Sequence, residues 1–276
     1  MPADARQATA QPIPARDPAR PLRRLESPDP RSVKNRRFFD GYWSAGKHER
    51  DRLWRDWWHD GYEQMLTWAG PLAGKRVVNL FAGLCEDAEM LAQTGASVVA
   101  VDFSLAGLAN AAHAPGRRVE VDGPRMLCAD ASKLPLPDGS VDVVIAINGL
   151  CHTPKAKVLA ECRRVLAPDG RILLLEVMRY PHLAMLARFL EPYKWHAPHK
   201  FISVGELEEL ARDFSFARHR EFFCLSVLSA MLVRLPLGAK LFLPLHRLLT
   251  KLDRPLLRAV PFLRRFSYLC AAELRP

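Results

Sequence analysis

Along the middle of the chain, apolar runs and amphipathic stretches alternate in a strict order. Val-, Ile- and Leu-rich runs over residues 76–81, 97–102, 125–129, 141–147 and 170–176 are nearly continuous, as in strands covered on both faces. Segments with helical spacing separate them, which predicts a parallel sheet wound on both sides. Two later runs, 216–224 and 266–274, complete the sheet at one edge, with the last pair antiparallel. The expected fold is α/β: a doubly wound, mostly parallel seven-stranded sheet with a helical N-terminal cap and a helical C-terminal insertion. The loops at 82–87, 102–104, 130–132 and 148–153 then meet at the carboxyl edge of the sheet, where such folds bind ligands.

Outside that core the pattern changes three times. Residues 1–35 are basic and proline-rich, with seven prolines up to Arg31. This composition buries too little apolar surface to offset its ordering entropy, and predicts a disordered leader. Residues 36–70 are aromatic-rich, and Trp54, Trp57, Trp58 and Tyr62 recur on one helical face, either packed on the sheet or capping a pocket. Residues 225–262 mix Leu, Val and Phe with Arg or Lys every few positions, and prolines at 236, 244, 255 and 261 divide them into short pieces. No apolar run there reaches the roughly 18 residues needed to span a bilayer. Pieces of this kind pack on a domain with their arginines in solvent, cover a hydrophobic channel or lie at a membrane interface.

Charge sharpens this division. The formal net charge of +10 comes from the ends: residues 1–38 hold nine Lys/Arg against four Asp/Glu, residues 231–276 hold nine against two, and the core holds 22 against 24. Basicity confined to the tails gives no reason to expect nucleic-acid binding by the core. Six cysteines without a C-x-x-C pair and an N-terminus without an apolar h-region predict a cytoplasmic protein with reduced thiols, with membrane association left open by the C-terminal region.

The candidate chemistry lies in three segments: Arg76-Val-Val-Asn-Leu-Phe-Ala-Gly-Leu-Cys-Glu-Asp87, Val98-Val-Ala-Val-Asp102, and Met126 through Asp130 to Asn148. The first reads as a strand, a tight turn and a helix start, which presents backbone N–H groups to a ligand. Asp102 follows Gly83 by 19 residues, near the spacing of roughly 20 at which an acid at a strand end accepts hydrogen bonds from ribose hydroxyls.

Residues 70–178, and above all the run from Leu134-Pro-Leu-Pro-Asp-Gly-Ser-Val-Asp-Val-Val144 to Glu161-Cys-Arg-Arg-Val-Leu-Ala-Pro-Asp-Gly-Arg-Ile-Leu-Leu-Leu-Glu176, resemble the class I S-adenosylmethionine-dependent methyltransferases. Within them the likeness is to the small-molecule branch that includes quinone-biosynthesis enzymes. It implies S-adenosylmethionine as cofactor and a hydrophobic or aromatic small-molecule acceptor, methylated at oxygen, nitrogen or carbon. Carried over by position, the cofactor residues are Asn79, Phe81, Ala82, Gly83, Asp102, Phe103, Asp130, Ala131 and Asn148. The family usually has aspartate where Asn79 stands and glycine where Phe81 and Cys85 stand, so the adenosine half of the site is kept and the methionine half is altered.

His152, just beyond the fourth strand, is the candidate base, since histidine titrates near working pH. The resemblance further implies a lid over 178–204 and substrate contacts from Trp43, Tyr180, His182, Tyr193, Trp195, His196 and His199. Three of those histidines without a paired carboxylate do not make a metal site, and none is expected. The altered loop keeps a second reading in play, a methyltransferase-fold protein that supports a partner enzyme or catalyses another reaction. A nicotinamide-dependent oxidoreductase is disfavoured, because the third glycine of the dinucleotide fingerprint is missing.

Overall fold

The computed structural model describes residues 30–44, 58–113, 123–179, 200–234 and 238–276. Seven strands form one sheet in the order β3-β2-β1-β4-β5-β7-β6. They are β1 (Arg76–Leu80), β2 (Ser97–Asp102), β3 (Arg125–Cys128), β4 (Val141–Ile147), β5 (Leu166–Val177), β6 (Phe216–Phe222) and β7 (Leu269–Arg275). The first five are mutually parallel, and β7 runs antiparallel between β5 and β6. The continuous apolar runs have the predicted cause: Val77, Val143 and Leu173 face one hydrophobic cluster, and their neighbours Val78, Val144 and Leu174 face another. A sheet covered on both sides cannot alternate apolar with polar.

The helices are α1 (Pro30–Ser44), α2 (His59–Ala69), α3 (Glu86–Ala92), α4 (Leu105–Ala112), α5 (Lys155–Val165), α6 (Val204–Leu210) and α7 (Gly238–Ala259). Helix α2 presses onto the sheet so closely that a Cβ at Gly61 would lie 2.7 Å from both Leu175 and Leu269. At the antiparallel edge the fully buried Glu273 is met by Arg218 at 2.5 Å and Arg275 at 2.8 Å, with Arg171 at 3.7 Å. A carboxylate buried inside a sheet face needs such counter-charges.

Several expectations change. The leader ends earlier than residue 35, because α1 already begins at Pro30; residues 1–29 lie outside the described residues. The aromatic face of residues 54–62 is only partly described: α2 starts at His59, Trp58 is its buried N-cap, and Trp54 and Trp57 lie outside the described residues. The prolines of the C-terminal region do not cut it into short pieces, since α7 runs 22 residues through Pro244 and Pro255. Proline removes a helical hydrogen bond, but one face of this helix is anchored strongly enough to carry the loss. The last strand starts at Leu269, after a 3₁₀ segment over Pro261–Phe266.

Candidate cofactor site and catalytic edge

Strand order reverses between β1 and β4, so the loops after these strands flank the crevice where a doubly wound sheet takes its ligand. Asp102, the last residue of β2, organises one side of it. One carboxylate oxygen accepts the backbone N–H of Gly83 at 2.9 Å, and the other accepts that of Ser104 at 2.8 Å. Burial pushes this carboxyl up to about 6, while the two backbone N–H groups pull the other way. Each oxygen retains a lone pair, so the acid can brace the loop and accept from a ligand hydroxyl as well.

The loop after β1 has an unusual backbone. Phe81, Gly83 and Cys85 all have positive φ, at 60°, 48° and 59°. The glycine conformation is therefore kept at two positions that carry side chains. Non-glycine residues in this region cost about 1–2 kcal/mol each. Packing enforces them: the Cys85 N–H bonds to the Ala82 carbonyl at 2.6 Å, its side chain is fully buried, and Phe81 fills the space beside Gly149. A Cβ at Gly149 would lie 1.9 Å from the Phe81 ring. Phe81 after β1 and Gly149 after β4 thus form a matched pair.

Helix α1 lies over the neighbouring strand end. Its Asp40 accepts the Ser104 hydroxyl at 2.7 Å, and Ser104 caps α4 by accepting the Gly107 N–H at 3.1 Å. The Trp43 ring sits on the same floor, where a Cβ at Gly83 would lie 2.8 Å from it and one at Gly107 3.0 Å. Phe39 makes edge contacts with Phe103, centroids 5.8 Å apart, and with His152, 4.8 Å apart. Asn35 donates to the His152 carbonyl. Trp43, expected among the acceptor contacts, packs against the glycine turn and α4.

Three adjacent strand ends each leave a buried oxygen without a donor among the described residues: Asn79 Oδ1 on β1, Asn148 Oδ1 after β4 and Glu176 Oε2 on β5. Asn148 holds φ at 48°, with its N–H on the Leu175 carbonyl. Glu176 accepts the N–H groups of Gly149 and Leu150, each at 3.0 Å, which fixes the 3₁₀ turn carrying His152. Burial raises the Glu176 carboxyl to about 7, opposed by those N–H groups and by the Lys155 charge. Glu176 had no role in the sequence reading, although an acid closing the run Ile172-Leu-Leu-Leu175 was a usable signal. Asp130 accepts the Ser132 N–H at 2.8 Å and its hydroxyl at 2.7 Å, and Ala131 beside it is buried. Ala82, half-buried, donates its N–H to the Val101 carbonyl. Tyr180, His182, Tyr193, Trp195, His196 and His199, with most of the expected lid, lie outside the described residues.

The parallel core, its reversal point and a strand-end acid braced against a glycine turn define a nucleoside-binding α/β fold. Residues 80–174 match the family described as Methyltransferase domain. Demethylmenaquinone methyltransferase of Beutenbergia cavernae is 35% identical over 172 residues, covering 59% of this chain and 66% of that protein. Ubiquinone biosynthesis O-methyltransferase of Pseudomonas aeruginosa is 34% identical over 151 residues, covering 51% and 64%. A chain solved in complex with the Haloferax volcanii Trm112 methyltransferase activator superposes with a TM-score of 0.59 at 20% identity, over 86% of this chain and 97% of that one. The chain belongs to the class I S-adenosylmethionine-dependent methyltransferases, on their quinone-biosynthesis-like side. It spans about half to two thirds of the length of the curated relatives it matches.

The residues fit the family's cofactor, S-adenosylmethionine. Asp102 offers acceptors for ribose hydroxyls, and the donorless oxygens of Asn79 and Asn148 suit a ligand end that carries N–H groups.

Gly149 has φ −125°, which any residue adopts, and the three atoms nearest a Cβ there all belong to Phe81. Gly149→Ala should therefore cost about 1–3 kcal/mol in urea unfolding, and adding Phe81→Gly should recover part of the loss; additive costs would show that the pair is not coupled. Glu176 binds its proton more tightly folded than unfolded, so its contribution is present below the ordinary value of 4.5 and lost as pH rises through about 7. The parent should lose stability between pH 5 and 8 more steeply than Glu176→Gln, and parallel curves would refute this.

Proposed function

We propose that the protein transfers a methyl group from S-adenosylmethionine to a hydrophobic or aromatic small molecule. The observation that carries this reading is the Asp102 brace between Gly83 and Ser104, a carboxylate beside the glycine turn with lone pairs suited to ribose hydroxyls. The quinone-pathway names of the relatives favour a flat, lipid-soluble acceptor. The cofactor, when bound, supplies an electrophilic methyl on a sulfonium.

The chain's residues do the rest. Asp102 and Asp130 orient the adenosine half, and Asn79 and Asn148 accept from the methionine half. Phe39, Trp43 and Phe103 form an aromatic wall over β2 and α4 that keeps water from the site. His152, held through its backbone by Asn35 and against Phe39, takes the proton when the acceptor is a hydroxyl. Glu176 positions it by fixing the turn from below. The contacts from residues 180–199 belong to the acceptor side of this proposal. So does peripheral membrane contact through the basic C-terminal region, which would bring a cytoplasmic enzyme to an acceptor that partitions into lipid. Among the described residues, no helix is long and apolar enough to cross a membrane.

A second reading, a fold that no longer methylates and supports a partner protein, is favoured by one observation. Side chains occupy the two turn positions where family members carry glycine, at Phe81 and Cys85.

The test is transfer of labelled methyl from S-adenosylmethionine to a panel of hydrophobic phenols and quinols. Activity is expected, with His152→Ala lowering kcat about 100-fold, leaving KM little changed and removing a limb of the pH profile. An unchanged kcat and profile would remove His152 from the chemistry, and no transfer to any acceptor by a protein that binds the cofactor would favour the second reading.

A further inference from the structure

Helix α7 carries two apolar arcs, and the protein's own core uses only one. Phe242, His246, Thr250, Asp253 and Leu257 recur every three or four residues and are buried. They fix the helix in rotation. Asp253 accepts the N–H groups of Cys224, Leu225 and Ser226 and the Ser226 hydroxyl. His246 lies between the rings of Phe242 and Phe223, with centroids at 5.7 and 4.9 Å, and its Nδ1 faces Ser229 Oγ at 3.2 Å.

With that face pinned, the opposite arc points outward. Leu241, Leu248 and Leu252 are 59%, 57% and 52% exposed. At 100° per residue their spacing puts them within about 40° of one another around the helix axis. Exposed Arg247 and Lys251 run along one flank of this stripe, in line with Arg254 and Arg258. The only acid in α7, Asp253, is turned inward and bonded. Beyond the helix the same character continues, with Phe262 54% exposed and the Arg265 guanidinium 3.9 Å from its ring.

We infer that this face of α7 is a docking surface for an anionic lipid bilayer, on which the helix lies flat. Leu241, Leu248 and Leu252 enter the acyl boundary, and Arg247, Lys251 and Arg258 meet the headgroup phosphates. Charge decides the occupant. A leucine stripe alone would suit another helix or a second copy of the chain, but a second copy would face these cations with its own. Arg254 is paired with Asp60 of α2 at 3.0 Å, but Arg247, Lys251 and Arg258 beside a leucine stripe, on a helix that exposes no acid of its own, are complementary to a negatively charged lipid surface. The helix is about 33 Å long at 1.5 Å per residue, enough to spread these contacts along the surface. The functional sense of the contact rests on the proposed lipid-soluble acceptor; the contact itself does not depend on methyl transfer.

The experiment is co-sedimentation of the full chain with vesicles of phosphatidylcholine alone and of phosphatidylcholine mixed with phosphatidylglycerol. It is run at low and high salt, with cofactor titration on the same samples. Binding is expected to the mixed vesicles and not to the neutral ones, and it should weaken with salt. Leu248→Ser with Leu252→Ser, and separately Arg247→Glu with Lys251→Glu, should each lower partitioning about tenfold or more. These side chains are exposed, so thermal unfolding and cofactor binding should stay at the parent's values. The inference is overturned if the parent binds neither vesicle, if it binds both equally, or if the leucine pair binds as the parent does. A solution dimer that the leucine pair dissolves, without vesicle binding, would overturn it and assign the face to a second copy. Cofactor binding read alongside separates failure of docking from failure of the methyltransferase reading.

Discussion

The carboxylate of Asp102 joins the three pieces on which the cofactor edge depends. It ends β2, receives the Gly83 N–H from the loop after β1, and receives the Ser104 N–H at the entry to α4. Ser104 in turn holds Asp40, which brings α1 across the same edge. Neither turn is long enough to have a fold of its own, so their relative position rests on this acid and on the parallel pairing of β1 with β2. Burial of the group is expensive, as its raised proton affinity shows, and two backbone donors offset the cost. A brace already fixed before a ligand arrives is a preorganised acceptor, which is what a nucleoside site needs.

Beside this brace the chain departs from the ordinary glycine turn without abandoning its backbone path. Phe81 and Cys85 take up glycine-like torsions because each gains something local. Cys85 buries its side chain at the start of α3, and Phe81 fills the gap left by the missing Cβ of Gly149. The change therefore joins β1 to β4 across the reversal point of the sheet. The turn is altered as a packing unit, while the Asp102 brace beside it is kept.

Much of the fold was legible in sequence because a two-faced parallel sheet leaves a strong trace. Continuous runs such as Val98–Val101 and Leu173–Leu175 can only be strands buried on both sides, and five of the seven strands begin or end where those runs do. The places of single polar residues at strand ends were legible too, since Asp102 and Asn148 close runs of that kind. Features that depend on distant partners were not. Trp43 reads as one aromatic among many until α1 is seen lying over Gly83 and Gly107. Glu176 looks like an ordinary strand end until its contact with the N–H groups at 149 and 150 is known. Proline suggested breaks in the C-terminal region, and only the anchoring of Phe242, His246 and Asp253 against the loop after β6 explains why α7 runs on through Pro244 and Pro255.

The central claim is that the Asp102 carboxylate both braces the turn and binds the cofactor's ribose. Calorimetric titration of the folded protein with S-adenosylhomocysteine, beside Asp102→Asn, tests it most directly. The account predicts a one-to-one complex for the parent and at least about a tenfold weaker one for the variant, because a charged acceptor is lost from a dry site. No binding by the folded parent, or equal affinity in the variant, would contradict it.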